Sequence, residues 1–136
     1  MQDSSLKRFI RDPGRLSAQV SGDFPRIIAI DENDSQVTLR LDVSPELSWF
    51  EGHFPGEPVL PGIIQLHWAA EVASILFGLE GPPQHVKRLK FSNIIVPPRV
   101  IELTLARHGA RDVQFQIEGE DLQHSQGRLV FPEPGR

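Results

Sequence analysis

Gly52-His53-Phe54-Pro55-Gly56-Glu57-Pro58-Val59-Leu60-Pro61-Gly62 runs directly into an apolar segment over residues 63–79, and how this junction is read decides the fold. Prolines at 55, 58 and 61 fix φ at every third position. Glycines at 52, 56 and 62 let the backbone turn where a side chain would clash. The pattern predicts a stiff loop that presents one titratable side chain, His53, and then enters a helix through Pro61-Gly62. A histidine beside a helix N-terminus lies close to unpaired N–H donors able to hold a partial negative charge, which points to a site.

The predicted helix covers residues 62–77 and is closed by Gly78 and by Gly81-Pro82-Pro83. It is apolar nearly all round, so it is expected to be buried, and it is too short and too interrupted to span a membrane. Its polar residues His67, Glu71 and Ser74 fall at i, i+4 and i+7, a single stripe. Buried polar groups need partners. The stripe is therefore either a satisfied core network or subunit contact, or the lining of a pocket shared with His53.

The run Gly52-His53-Phe54-Pro55-Gly56-x-Pro58-Val59-x-Pro61-Gly62-x-x-Gln65 resembles the signature of the hot-dog-fold 3-hydroxyacyl-acyl-carrier-protein dehydratases. Residues 91–98 are similar to that family's later Phe-x-x-x-Val-x-Pro-Gly segment, with Pro98 where glycine is usual. With the strand spacing, the likeness covers residues 24–131. It implies a base, a histidine that removes the α-proton of a 3-hydroxyacyl thioester, and that role falls on His53. It implies that the Gly62 N–H holds the thioester oxygen, with Phe54 and Pro61 beside it at the substrate. It implies an Asp or Glu fourteen positions after the histidine, on the partner subunit's central helix, to protonate the departing hydroxyl. Here that position is His67.

Length and composition suit one domain: 136 residues, 24% charged, net charge −4. The expected division is an arm over 1–23, a core over 24–131 and a loose tail over 132–136. With no cysteine, disulfides and thiolate chemistry are excluded. No basic excess argues for nucleic acid, and no apolar leader follows Met1, so a cytoplasmic location and no membrane association are expected. His85, His108 and His124 sit in or near turns without metal-ligand spacing, so no metal is expected. No cofactor is expected beyond the carrier's phosphopantetheine, which the resemblance implies.

Along the chain, Ser4 or Ser5 caps a short predicted helix through Leu6, Phe9 and Ile10, stopped by Pro13-Gly14. Lys7, Arg8, Arg11 and Arg15 make this arm basic. Residues 24–30 form a strand, 31–34 a turn, and Val37, Leu39, Leu41 and Val43 alternate with polar residues in a second strand. After the helix, strands are expected over 85–95, 100–106, 113–117 and 128–131. One apolar helix within an antiparallel sheet suggests an α+β fold in which the sheet wraps the helix, as the hot-dog resemblance also implies. The resemblance further implies a homodimer or a multiple of dimers, because its protomers carry half-sites.

A neutral imidazole is a suitable base near physiological pH, which suits His53. The acid stays open: protonated His67, Glu71 within about 40° of it around the helix axis, or His53 serving twice. His67 and Glu71 pairing only with each other is the structural alternative. Lys87, Arg88 and Lys90 with Arg99 form a basic cluster suited to a phosphopantetheine phosphate, or are simply exposed strand charges. Trp68 and Phe77 read as core. The resulting expectation is a dehydratase acting on an acyl carrier protein, and the altered acid position suggests a specialised branch similar to the aryl-polyene and polyketide-type dehydratases. A non-catalytic hot-dog subunit paired with an active dehydratase and a hot-dog thioesterase are the alternatives.

Overall fold

The computed structural model describes residues 4–33, 35–50 and 60–133. Two short helices, α1 (Ser4–Arg11) and α2 (Pro13–Ser17), precede the strand pair β1 (Arg26–Asn33) and β2 (Gln36–Val43). Helix α3 (Gly62–Phe77) follows, then β3 (His85–Phe91), β4 (Arg99–Arg107), β5 (Asp112–Glu118) and β6 (Gln123–Val130). The strands form one six-stranded antiparallel sheet in the order β1-β2-β4-β5-β6-β3.

The alternation in β2 does what it predicts. Val37, Leu39, Leu41 and Val43 are buried, and opposite them on β4 lie Leu105, Leu103, Ile101 and Arg99. On the other face of the same strand pair, the hydroxyls of Thr38 and Thr104 meet at 3.2 Å. The predicted turn over 31–34 is corrected: Asp31, Glu32 and Asn33 continue β1 and pair with Thr38, Val37 and Gln36. They lie exposed on an edge strand, where polar side chains stay hydrated.

The last strand also starts earlier than expected, at Gln123 instead of Arg128. Its inward positions include Ser125 and Gly127, which carry no apolar signal. Gly127 is required there, since a Cβ would come within 2.8 Å of the Phe115 ring on β5. By contrast, β3 is shorter than expected. It ends at Phe91, and Ile95 instead bridges back to Leu60, whose N–H donates to the Ile95 carbonyl at 2.9 Å.

Pro13-Gly14 does not end the arm's helical structure. Pro13 opens α2, where the missing N–H has no intrahelical partner to lose, and Asp12 caps it by accepting from the Gly14 N–H at 3.2 Å. The basic side chains of the arm face solvent, while Leu6, Phe9 and Leu16 are buried in the common core.

Helix α3 packs one face, formed by Gln65, Trp68, Ala69, Val72, Ala73 and Leu76, against β4, β5 and β6. Trp68 is fully buried, edge-on to the Phe24 ring at 5.9 Å between centroids. The helix ends in a left-handed cap at Gly78 (φ 65°), whose N–H returns to the Ser74 carbonyl. The other face is apolar too, with Ile63, Leu66, Ala70 and Ile75, but in the protomer it borders an open groove. Among the described residues, no helix is long and apolar enough to cross a membrane.

Candidate functional site

Two cavities flank α3. At its N-terminus, Pro61 takes the N-cap position in extended conformation (φ −61°, ψ 145°), and Gly62 is the first helical residue. The Leu60–Ile95 bridge fixes the chain just before this point. Among the described residues the Gly62 N–H has no acceptor, as expected of a first-turn donor. It adjoins a cavity of about 210 Å³ lined by Leu60, Gln65, Phe91, Ser92, Asn93 and Ile94. Gln65 is 1% exposed, and its Oε1 has no hydrogen-bond partner among the described residues. The floor of this cavity is held by His124, which is fully buried on β6 and not in a turn. Its Nδ1 lies 3.0 Å from the Asn93 carbonyl, and its own carbonyl accepts from Ser92 and Asn93 N–H.

Gly62 cannot be exchanged freely. A Cβ there would sit 3.1 to 3.2 Å from three carbons of the Phe91 ring. The ring is 46% exposed, so it has room to swing outward. Gly62→Ala is therefore expected to leave the thermal midpoint within a few degrees of wild type and, if Gly62 has the oxyanion role that the resemblance implies, to lower kcat/KM for a thioester by about 10- to 100-fold. A melt and a turnover assay on the same preparation check both halves.

The second cavity is a groove of about 660 Å³ along the outer face of α3, closed by Gln19 and Ser21 of the arm and by Pro82, Pro83 and Val86. His67, Glu71 and Ser74 line it, so the stripe is a groove wall and not a core network. The His67 side chain is 54% exposed and that of Glu71 18%. His67 Nε2 lies 3.8 Å from Glu71 Oε1. Both carboxylate oxygens of Glu71 are engaged: Oε2 accepts from the Ser21 backbone N–H at 2.5 Å, and Oε1 from the Ser21 hydroxyl at 3.2 Å. The His67 ring also stands edge-on to Trp49 at 6.4 Å, and the Trp49 indole N–H donates to the Asp23 carbonyl at 2.9 Å.

Of the residues singled out from the sequence, the structure joins His67 with Glu71 and places Pro61 and Gly62 at the helix entry. His53 and Phe54 lie outside the described residues. The basic cluster is corrected. Lys87, Arg88 and Lys90 lie on the edge strand β3, whereas Arg99 opens β4, separated from β3 by β5 and β6. Arg99 borders a different surface with Arg40, Glu102, Glu118 and Glu120. Trp68 is a core residue as expected, whereas Phe77 is half-buried and packs against the core, with the Arg107 guanidinium 5.3 Å from its ring centroid. Sequence reading missed Ser21, Trp49 and the free Gln65 oxygen. Ser21 and Trp49 reach the site by tertiary contact, which no local pattern announces, whereas Gln65 belongs to the quoted motif and only its free oxygen was not foreseen.

Comparison with known proteins bears on the family and the fold. Residues 29–128 match the family model of ApeI-like proteins, described as ApeI dehydratase. The 3-hydroxyacyl-[acyl-carrier-protein] dehydratase FabZ of Protochlamydia amoebophila is 31% identical over 84 residues, which cover 57% of this chain and 54% of that protein. FabZ of Rhodopseudomonas palustris is 29% identical over 104 residues, covering 70% and 68%. The chain thus spans about half to two thirds of these relatives. Among solved structures, a chain of the dehydratase heterocomplex ApeI:P from Xenorhabdus doucetiae superposes with a TM-score of 0.72 at 24% identity, covering 80% of this chain and 98% of that one. An uncharacterized protein from Erwinia carotovora subsp. atroseptica gives a TM-score of 0.68 at 30% identity, covering 81% and 97%. The fold is the α+β hot-dog fold, with an antiparallel sheet around one long central helix, and the chain belongs to the ApeI-like dehydratase family.

Proposed function

We propose that the protein is a hydro-lyase that removes water from a 3-hydroxyacyl thioester on an acyl carrier protein, giving the trans-2-enoyl thioester. His53 takes the α-proton from C2. The electron pair forms the C2–C3 double bond, and the C3 hydroxyl departs with a proton as water. Negative charge grows on the thioester oxygen as the α-proton leaves, and the Gly62 N–H is the donor offered to it. The observation that carries this reading is the helix entry. Gly62 opens α3 at a cavity, directly after the His53-bearing sequence that resembles the dehydratase signature. No cofactor takes part beyond the phosphopantetheine of the carrier.

The site works between two protomers. The exposed edge strand β3, with Val86, Leu89 and Phe91 on its surface, and the apolar outer face of α3 support pairing with a second copy or with a related dehydratase subunit. Lys87, Arg88 and Lys90 on the same edge are the cations offered to the carrier's phosphate, and Arg99 is not one of them. The reaction is placed in the cytoplasm, in a fatty-acid-like or polyketide-like pathway.

Mass spectrometry of a 3-hydroxyacyl carrier protein incubated with the enzyme tests the proposal, and loss of one water from the acyl group is expected. His67 in the family's acid position favours a second reading, a non-catalytic subunit. In that case the acyl group stays unchanged until an active partner is added. Release of free acid would instead identify a thioesterase.

A further inference from the structure

We propose that Glu71 is a positioning residue, held by Ser21 of the N-terminal arm, that orients the His67 imidazole through Nε2 and leaves Nδ1 as the nitrogen that meets substrate. This rests on the dehydratase reading for its rate predictions alone.

The argument begins with what Glu71 already does. Its two oxygens accept from the Ser21 N–H and the Ser21 hydroxyl, contacts made 50 residues apart in sequence. Both oxygens are thus held by the arm, and each keeps a second lone pair for one further partner. Oε1 also faces His67 Nε2 at 3.8 Å, on the same helix face one turn away. The separation is longer than a hydrogen bond, but a carboxylate is acceptor-only, so its field favours the tautomer with hydrogen on the ring nitrogen turned towards it. Trp49, edge-on to the same ring, limits its rotation from another side. Trp49 is itself tied to Asp23, two residues from Ser21. The segment Ser21–Asp23 therefore fixes both neighbours of His67. In the elimination, the His67 imidazolium gives its Nδ1 proton to the C3 hydroxyl, water leaves, and the ring remains neutral with Nε2–H directed at Glu71.

This assigns the arm a task in the site that its exposed basic residues do not suggest. Ser21 acts on Glu71 and Glu71 acts on His67; neither needs to touch substrate.

The test uses the full-length protein with Glu71→Ala, Glu71→Gln and Ser21→Ala, read in three ways. Long-range proton–nitrogen NMR, with the His67 signals assigned by their loss in His67→Gln, reports which ring nitrogen carries the proton when the ring is neutral. Hydrogen exchange reports the arm over residues 4–24. Steady-state kinetics with a 3-hydroxyacyl carrier protein reports kcat and KM. We expect the wild-type ring to be the Nε2–H tautomer and Glu71→Ala to shift it to a mixture. Glu71→Ala should also speed exchange in the arm and lower kcat by about 10- to 100-fold with KM little changed. Glu71→Gln keeps a carbonyl for Ser21, so it should retain arm protection and more of the rate. Ser21→Ala loses the hydroxyl contact but keeps the backbone one and should fall between wild type and Glu71→Ala.

Faster exchange in Glu71→Ala with unchanged kcat and unchanged ring signals would overturn the proposal and leave Glu71 as a tie for the arm. A Glu71→Gln variant as inactive as His53→Ala, with the ring tautomer unchanged, would also overturn it, by making Glu71 the acid. If wild type dehydrates no thioester, the function is wrong, and the ring tautomer still decides whether Glu71 orients His67.

Discussion

His53→Ala is expected to slow dehydration by about 10²- to 10⁴-fold, the range that a positioned base contributes. The α-proton of a thioester is weakly acidic, so elimination depends on a base placed against it and on stabilisation of the charge that follows. On the roles proposed for His53 and Gly62, alanine removes the first and leaves the second, since the Gly62 N–H belongs to the helix start. In the proposed reaction the carrier and the acyl chain supply most of the substrate binding, so KM should change little and kcat should carry the loss. His53→Asn, which keeps a polar side chain of similar reach but no base, should be nearly as slow. A His53→Ala enzyme that turns over at the wild-type rate in single-turnover mass spectrometry would place the base elsewhere.

The largest stability effect is expected at Trp68. It is fully buried in the middle of α3, beside Phe24 at the start of the sheet core. Truncating a large buried aromatic removes its transfer free energy and leaves a cavity that the neighbours fill only in part, at a cost of about 3 to 5 kcal/mol. That is a large share of the roughly 5 to 15 kcal/mol that holds a typical domain folded. Trp68→Ala should therefore move the urea midpoint far down or prevent folding, whereas Trp68→Phe, which keeps a ring against Phe24, should cost much less. Urea denaturation followed by far-ultraviolet circular dichroism measures both. Equal midpoints for Trp68→Ala and wild type would remove this residue from the core.

The parts of the fold legible in the sequence were those where one residue alone signals its environment. The alternation of Val37, Leu39, Leu41 and Val43 reports burial on one face, and Pro61-Gly62 reports the helix entry. Legibility failed where the inward positions are small or polar. β6 places His124, Ser125 and Gly127 inside, because a buried ring at Phe115 needs a missing side chain across from it, and such a strand looks like a loop. It failed also for α3, whose second apolar face reads as buried although in the protomer it borders the groove. In the site, His67 and Glu71 were legible as one stripe because their spacing is set by the helix itself. Ser21 and Trp49 were not, since only the packing of the arm brings them there.

The strand order has a consequence for the time course of synthesis. The arm and β1 are made first, yet among the described residues β3 finds its one neighbour in the sheet only when β6 arrives, as the pairing of His85 with Val130 requires. β2 likewise waits through the whole of α3 and β3 before β4 can lie against it. At the ribosome, where chains emerge at about 5 to 20 residues per second, the first half of the protein must therefore wait some seconds with the Trp68 face of α3 uncovered. Slowing translation over residues 99–130 would lengthen that wait.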